Sequence, residues 1–342
     1  MRPAPQLRHD ILLGLCCLPA IIAICLAGFL LNQVSAASVI ASGALTLAFG
    51  ANKTWGDSSL SLLLVTTSGL AFSCWLGCLA GNLLPLYIAG AMLYAGLYVA
   101  MADVDSSAWW MLLQWSIAYL VSGYYAGGLE HAAMRAAMTG AGGLIQMLFL
   151  ALLFRRFNFQ RHDFNPRYWL SFLRATTHDY RHKIHLQCSV IFALLTMCLV
   201  LTTVELLHLK NGYWAGMTLL FCLRNHYRDT VSRVRARVSG TMIGSVVAAI
   251  LIHFWHTPLL LTCGFILCGF MAFTFSYSLI SKSYFVFSFF VTLMVVFMIA
   301  SLGMTQTAVA AHRLENTALG GAFALFAIIL THLFTRRSLN DD

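Results

Sequence analysis

The sequence predicts an all-α, polytopic helical membrane protein of about 12 transmembrane helices in two parallel six-helix repeats. Three observations lead there. Apolar residues make up 60% of the 342-residue chain and charged residues 10%, whereas soluble proteins run near ~45–50% and ~25%. Apolar runs near the ~20 residues that cross a bilayer recur along the whole length. A motif also repeats: Arg135-Ala-Ala-Met-Thr139-Gly-Ala-Gly142-Gly143 returns as Arg313-Leu-Glu-Asn-Thr317-Ala-Leu-Gly320-Gly321. Each copy opens the last apolar segment of its half and is followed by an Arg-Arg pair, Arg155-Arg156 and Arg336-Arg337. Internal duplication is the plan of many transporters, which place the substrate site between the repeats.

The first apolar segment, 11–31, is followed four residues later by another, so it reads as a retained span and not as a cleaved signal peptide. Segments 36–51, 60–81, 83–101, 107–125 and 136–154 complete a first repeat within residues 1–154. Residues 155–187 form a basic linker, whose core Tyr168-Trp169-Leu170-Ser171-Phe172-Leu173-Arg174 predicts an amphipathic helix on the membrane surface. His178, His182 and His185 recur there at helical spacing and read as a solvated face, because no carboxylate or Cys joins them. Segments 188–207, 212–223, 238–254, 258–278, 283–303 and 314–334 form a second repeat within 188–342.

The net charge of +9 is informative through its placement. With both termini cytoplasmic, as an even number of spans requires, 18 of the 21 Lys and Arg residues fall inside. Only Arg135, Lys210 and Arg313 fall outside, a pattern that follows the positive-inside rule. The basic segments then face anionic headgroups, and nucleic acid is not needed to explain them. The ten cysteines lie in or beside apolar segments and none has zinc spacing, so they read as small buried hydrophobes and no metal or cofactor is expected. No P-loop, GxSxG or HExxH appears, and no enzymatic activity is expected.

A second correspondence joins the halves. A shift of 172 positions lays Thr46 on Thr218, Phe49 on Phe221, Trp55 on Tyr227 and Asp57 on Asp229. The segment ending there is the second of each half, and both copies are short and run into a polar stretch. Short apolar segments at matching positions of two halves point to a transporter's binding site; tilted or extended helices are the alternative.

Residues 186–334 carry three further motifs. Gly212-Tyr213-Trp214-Ala215-Gly216-Met217-Thr218-Leu219-Leu220, Arg237-Val238-Ser239-Gly240-Thr241-Met242-Ile243-Gly244 and Arg313-Leu314-Glu315-Asn316-Thr317-Ala318-Leu319-Gly320 come in that order. They resemble the signatures of the fusaric acid resistance / aromatic acid exporter family. The resemblance implies a multi-pass bacterial inner-membrane protein that exports organic acids. Two departures stand out. In the loop Arg224-Asn225-His226-Tyr227-Arg228-Asp229-Thr230 the acidic residue follows the Tyr, where the family usually has it before. The linker is also short beside the long soluble domain of better-known members.

These motifs offer specific chemistry. Arg-x3-Thr-x2-Gly sets three residues on one helix face. The glycines Gly142, Gly143, Gly240, Gly244, Gly320 and Gly321 are expected to let helices approach closely. Arg237 and Arg313 are candidate clamps for a carboxylate, with Thr241 and Thr317 one turn along, since a guanidinium within the bilayer costs about 2.5–3.5 kcal/mol unless it meets protein, water or an anion. Tyr213 and Trp214 read as an interfacial pair or as a stacking surface, with Thr218 beside them. Glu205 and Glu315 are favoured for proton coupling among the carboxylates and histidines near span ends, which include Asp103, Asp105, Glu130 and His332. The expected activity is ion-gradient-driven export of small aromatic or amphipathic organic acids. The expected partners are a small organic anion, the bilayer, and a homo-oligomer or periplasmic adaptor. The alternative is a non-transporting membrane module that scaffolds or regulates an envelope complex.

Overall fold

The computed structural model describes residues 4–55, 58–102, 104–153, 174, 177, 184–224, 226–254, 257–277, 283–301 and 306–338. Their helices are α1 (Ala4–Leu30), α2 (Val34–Ala48), α3 (Ser59–Ala80), α4 (Leu84–Met101), α5 (Ser106–Tyr124) and α6 (Leu129–Leu153). After the linker come α7 (Ile184–Leu206), α8 (Tyr213–Cys222), α9 (Tyr227–Phe254), α10 (Pro258–Ser276), α11 (Ser283–Ser301) and α12 (Gln306–Ser338). Among the described residues nine helices are long and apolar enough to cross a membrane, and α2 and α8 are shorter apolar helices. The protein is an all-helical, polytopic membrane protein. The amphipathic helix expected at 168–174 lies outside the described residues apart from Arg174, as do Asp57, Asp103, His178 and His182.

Helix ends follow local chemistry. Asp105 caps α5, its carboxylate accepting from the amides of Ser107 at 2.9 Å and Ala108 at 2.7 Å. Pro85 and Pro258 stand in the first turns of α4 and α10, where a missing N–H costs nothing. Between α7 and α8 the chain turns through His208 and Asn211 at φ of 49° and 56°.

Several helices outrun their apolar segments. α9 begins at Tyr227, eleven residues before the segment at 238–254, so most of the expected polar loop is helix, with Asp229 in the first turn. α6 and α12 likewise begin ahead of their segments, which sets Arg135 and Arg313 well inside helices and not at their ends.

The chain divides into two compact units. Unit 1 comprises Met1–Ala71, Met134–Gln160 and Ser239–Leu314; unit 2 comprises Phe72–Ala133, Arg161–Val238 and Glu315–Asp342. Each unit draws segments from before and after the linker. In unit 1, α10 and α11 pack along each other, and α1 packs on α2 and α10. In unit 2, α4 packs on α7 and α5, and α8 packs on α5 and α7.

The outward faces are apolar: Leu26, Phe29, Leu86, Leu93, Leu152 and Leu259 are all more than half exposed. In water such a surface would drive association; for a lipid-facing exterior it is the expected one. Several buried threonines are satisfied within their own helices. Thr66, Thr67, Thr196, Thr292 and Thr331 each donate to the carbonyl one turn back, at 2.6–3.0 Å.

The glycine motifs mark close helix contacts. A Cβ on Gly142 of α6 would lie 1.8 Å from the Ile40 carbonyl oxygen of α2, and one on Gly320 of α12 would lie 2.2 Å from the Ala215 carbonyl oxygen of α8. Gly143 meets Thr67, Gly240 and Gly244 meet α11 at Phe285 and Phe289, and Gly321 meets Val234. Any side chain at Gly142 or Gly320 would force the helices apart.

Candidate functional site

A cavity of about 360 Å³ opens within unit 2. The end of α4 contributes Tyr98, Val99 and Ala102, and the start of α5 contributes Ser106 and Trp109. Ser189 comes from α7, and Ile328 and Thr331 from α12. The turn after α8 and the first turns of α9 supply Leu223, Arg224, His226, Asp229 and Arg233. The size suits a small-molecule site, for which ~300–1,000 Å³ is usual.

Arg224 is the organising residue. Its guanidinium carbon lies 4.2 Å from the centroid of the Trp109 ring, a cation–π contact. Its Nη1 donates to the Tyr98 hydroxyl at 3.1 Å, and that hydroxyl donates to the Leu220 carbonyl at 2.9 Å. The Tyr98 and Trp109 rings stack with centroids 5.2 Å apart. The backbone of Arg224 is held as well. Its N–H donates to Thr230 Oγ1 at 3.0 Å, and Thr230 Oγ1 donates to its carbonyl at 3.2 Å. Thr230 is fully buried. One threonine therefore bonds both backbone groups of Arg224, the second residue after α8, which fixes how the chain turns from α8 into α9.

The residues singled out in the sequence lie elsewhere. Tyr213 and Trp214 are buried at the opposite end of α8 from Arg224, about 15 Å away at 1.5 Å per residue over ten residues. There they join Tyr124 and Tyr125 in an aromatic cluster: Tyr213 lies 5.1 Å from Tyr124 and 5.5 Å from Trp214, centroid to centroid. Thr218 is buried against α12, its Cβ 2.8 Å from where a Gly320 Cβ would be. Arg237 is 4% exposed, with its guanidinium carbon 4.8 Å from the Phe221 ring centroid. Thr241, one turn along α9, is buried 3.5 Å from Thr292 Oγ1. Arg313 and Thr317 are buried on α12, and none of these seven lines the cavity. Glu205 and Glu315 are exposed and stand outside it as well.

The carboxylate that lines the cavity is Asp229, and Asp105 is occupied as a helix cap. Among the described residues no group of three or more His, Cys, Asp or Glu could hold a metal ion, and none of the ten cysteines is joined in a disulfide.

The sequence does not mark Tyr98, Trp109, Arg224, Asp229 or Arg233 as site residues. The signal that points to this corner is the short second segment of the half running into the polar stretch 224–229. Tyr98 and Trp109 sit in ordinary apolar segments and reach Arg224 across more than a hundred residues, so no local pattern marks them.

Comparison with known proteins agrees with the motifs. Residues 191–327 match the family model described as fusaric acid resistance protein-like. An uncharacterized protein of Haemophilus influenzae is 31% identical over 149 residues, covering 44% of this chain and 19% of that relative. An uncharacterized protein, ORF2, of Neisseria gonorrhoeae is 29% identical over 152 residues, covering 44% of this chain and 33% of that relative. The chain thus spans a fifth to a third of the length of these relatives. No solved structure matches it. The matched stretch holds the YW segment, the Arg224 turn, α9 and most of α12, so residues 191–327, whose helices include ones long and apolar enough to span a bilayer, are similar to fusaric acid resistance protein-like sequences.

Proposed function

We propose that the protein is an inner-membrane transporter that exports small aromatic or amphipathic organic acids. The observation that carries this reading is the burial of two guanidinium groups, Arg237 and Arg313, each 4% exposed, in helices apolar enough to span a bilayer. A buried cation in such a place is costly and marks a pathway by default. A guanidinium can replace the hydration that a carboxylate loses on entering the membrane. Thr241 and Thr317, one turn along, would add hydroxyl donors. Tyr213, Trp214 and Thr218 would form the apolar surface met by the substrate's ring. The reading assigns no enzymatic step.

The duplication belongs to the same reading. We infer two copies of one six-helix unit, residues 1–154 and 188–342 joined by the linker 155–187. It is supported by matched helix contacts: the Gly142 motif of α6 meets α2, and the Gly320 motif of α12 meets α8.

An ion gradient would drive export, with Glu205 and Glu315 the first carboxylates to examine. Both termini and the linker would face the cytoplasm, where the basic residues then lie. Efflux of preloaded radiolabelled benzoate from cells tests the scheme, with membrane protein level as control. Arg237→Ala and Arg313→Ala should each abolish efflux at normal protein level, and Arg313→Lys should rescue only in part, because a point charge lacks the forked geometry. Full efflux by both Ala variants at normal level would refute the clamp. Efflux that persists when a protonophore collapses the gradient would refute ion coupling.

A further inference from the structure

The unit 2 cavity is lined by the charged Arg224, Arg233 and Asp229 and by apolar residues that include Val99, Leu223 and Ile328. With histidine counted neutral, its formal balance is one positive charge. We propose that this cavity binds a small organic monoanion with an apolar body, the anionic head on Arg224 and Arg233 and the body against the apolar residues. The short second segment points to this corner, but neither it nor the family match names a ligand or the residues that would hold one.

Three features select that ligand. First, Arg224 is fixed in advance: Trp109 lies beneath its guanidinium, Tyr98 accepts one of its N–H groups, and Thr230 holds its backbone. A long side chain ordered before the ligand arrives loses little further entropy on binding. Second, Asp229 stands in the same cavity, so a second negative charge on the ligand would meet a carboxylate. That favours a monocarboxylate over a phosphate dianion. Third, the apolar lining has no donors for an inorganic anion but removes hydrocarbon from water. The Trp109 ring is shared between Arg224 and Tyr98, so its role is to hold the guanidinium and not to stack on the ligand.

The basic turn places this cavity on the side that the charge asymmetry assigns to the cytoplasm. It is therefore where an exported anion would first be held; that place in a cycle rests on the transport reading, while the binding itself does not.

The test uses the full chain in phosphatidylcholine nanodiscs and radiolabelled benzoate, with bound ligand counted by scintillation proximity. Saturable binding is expected. Unlabelled hexanoate should compete, whereas inorganic phosphate and benzyl alcohol should not. Arg224→Ala and Arg233→Ala should each weaken binding about tenfold or more, the usual loss for a charge-assisted hydrogen bond. Asp229→Asn should tighten it about threefold and let phosphate compete. If Arg224→Ala does not fold, Arg224→Lys serves, with a loss of about three- to tenfold. Absence of binding to the unaltered protein would overturn the proposal. So would binding within twofold of normal by both Arg variants, or phosphate competing as well as hexanoate. Loss of benzoate binding when the nanodiscs contain phosphatidylglycerol would assign the cavity to lipid headgroups and overturn it too. Binding without efflux from cells would refute transport and leave the cavity standing. Efflux undiminished in variants that no longer bind would remove the cavity from the pathway and leave transport standing.

Discussion

In unit 1 the hydroxyl of Tyr277 donates to the carbonyl of Ala48, and in unit 2 the hydroxyl of Tyr98 donates to the carbonyl of Leu220, 172 positions after Ala48. Both acceptors lie in the last turn of a short helix, α2 or α8, where carbonyls lack a partner within the helix. Each tyrosine also has a second partner, and there the units part. Tyr277 meets the buried thiol of Cys17 at 3.4 Å, in a setting closed by Phe49 against Phe273 and Phe287. Tyr98 accepts from Arg224. The residue 172 positions after Cys17 is Ser189, whose hydroxyl turns back to the His185 carbonyl at 2.8 Å and whose side of α7 lines the cavity. The same tyrosine-to-carbonyl brace thus serves a closed apolar corner in one unit and a charged, open one in the other. Bracing the end of a short helix is a structural need that both corners share; only the partners around the brace distinguish packing from binding.

The harshest way to break the parallel is to crowd the helix contacts. Gly142→Leu and Gly320→Leu should each cost about 3 kcal/mol or more, since their Cβ atoms would meet backbone carbonyls within 1.8 and 2.2 Å. The thermal midpoint of the purified protein in detergent reports it. Gly128→Ala, with nothing within 4 Å, should leave that midpoint unchanged. If one Leu variant is tolerated and the other is not, the two contacts are not equivalent.

Thr230→Val removes both bonds that hold the Arg224 backbone. It should lower stability by about 1–3 kcal/mol and weaken benzoate binding together, whereas Thr230→Ser should spare both. Unchanged binding in a destabilised Val variant would show that the turn does not position Arg224.

The tyrosine pair sharpens the comparison most directly. Tyr98→Phe and Tyr277→Phe should each cost about 1 kcal/mol in stability through the lost carbonyl bond. Only Tyr98→Phe should also weaken benzoate binding; an equal effect from Tyr277→Phe would erase the distinction between the corners. The smallest effect is expected from Trp109→Phe, which weakens the cation–π contact by about 0.5–1 kcal/mol, read as a two- to fivefold change in benzoate affinity.

The helical fold was legible before any coordinates because lipid leaves a chain few choices: backbone groups in the bilayer must be paired internally, so long apolar runs become helices. Hydropathy records how much of a helix lipid covers, and not where the helix ends. That is why α9 starts at Tyr227, through a stretch rich in Arg, and why α12 starts at Gln306. The site was legible only in outline. The Arg224–Thr230 segment stood out by its polarity, and Tyr213-Trp214 by its motif, yet Tyr213 and Trp214 pack with Tyr124 and Tyr125 at the far end of α8. By itself the sequence determined the class of protein, the helices, the basic segments and the likeness of residues 191–327 to a known family, each a property of composition or of short local pattern. The tertiary structure alone decided that Tyr98 and Trp109, from α4 and α5, meet Arg224. The physical reason is that a guanidinium's partners are chosen by which helices pack together, and in an apolar chain many pairings satisfy the backbone equally well.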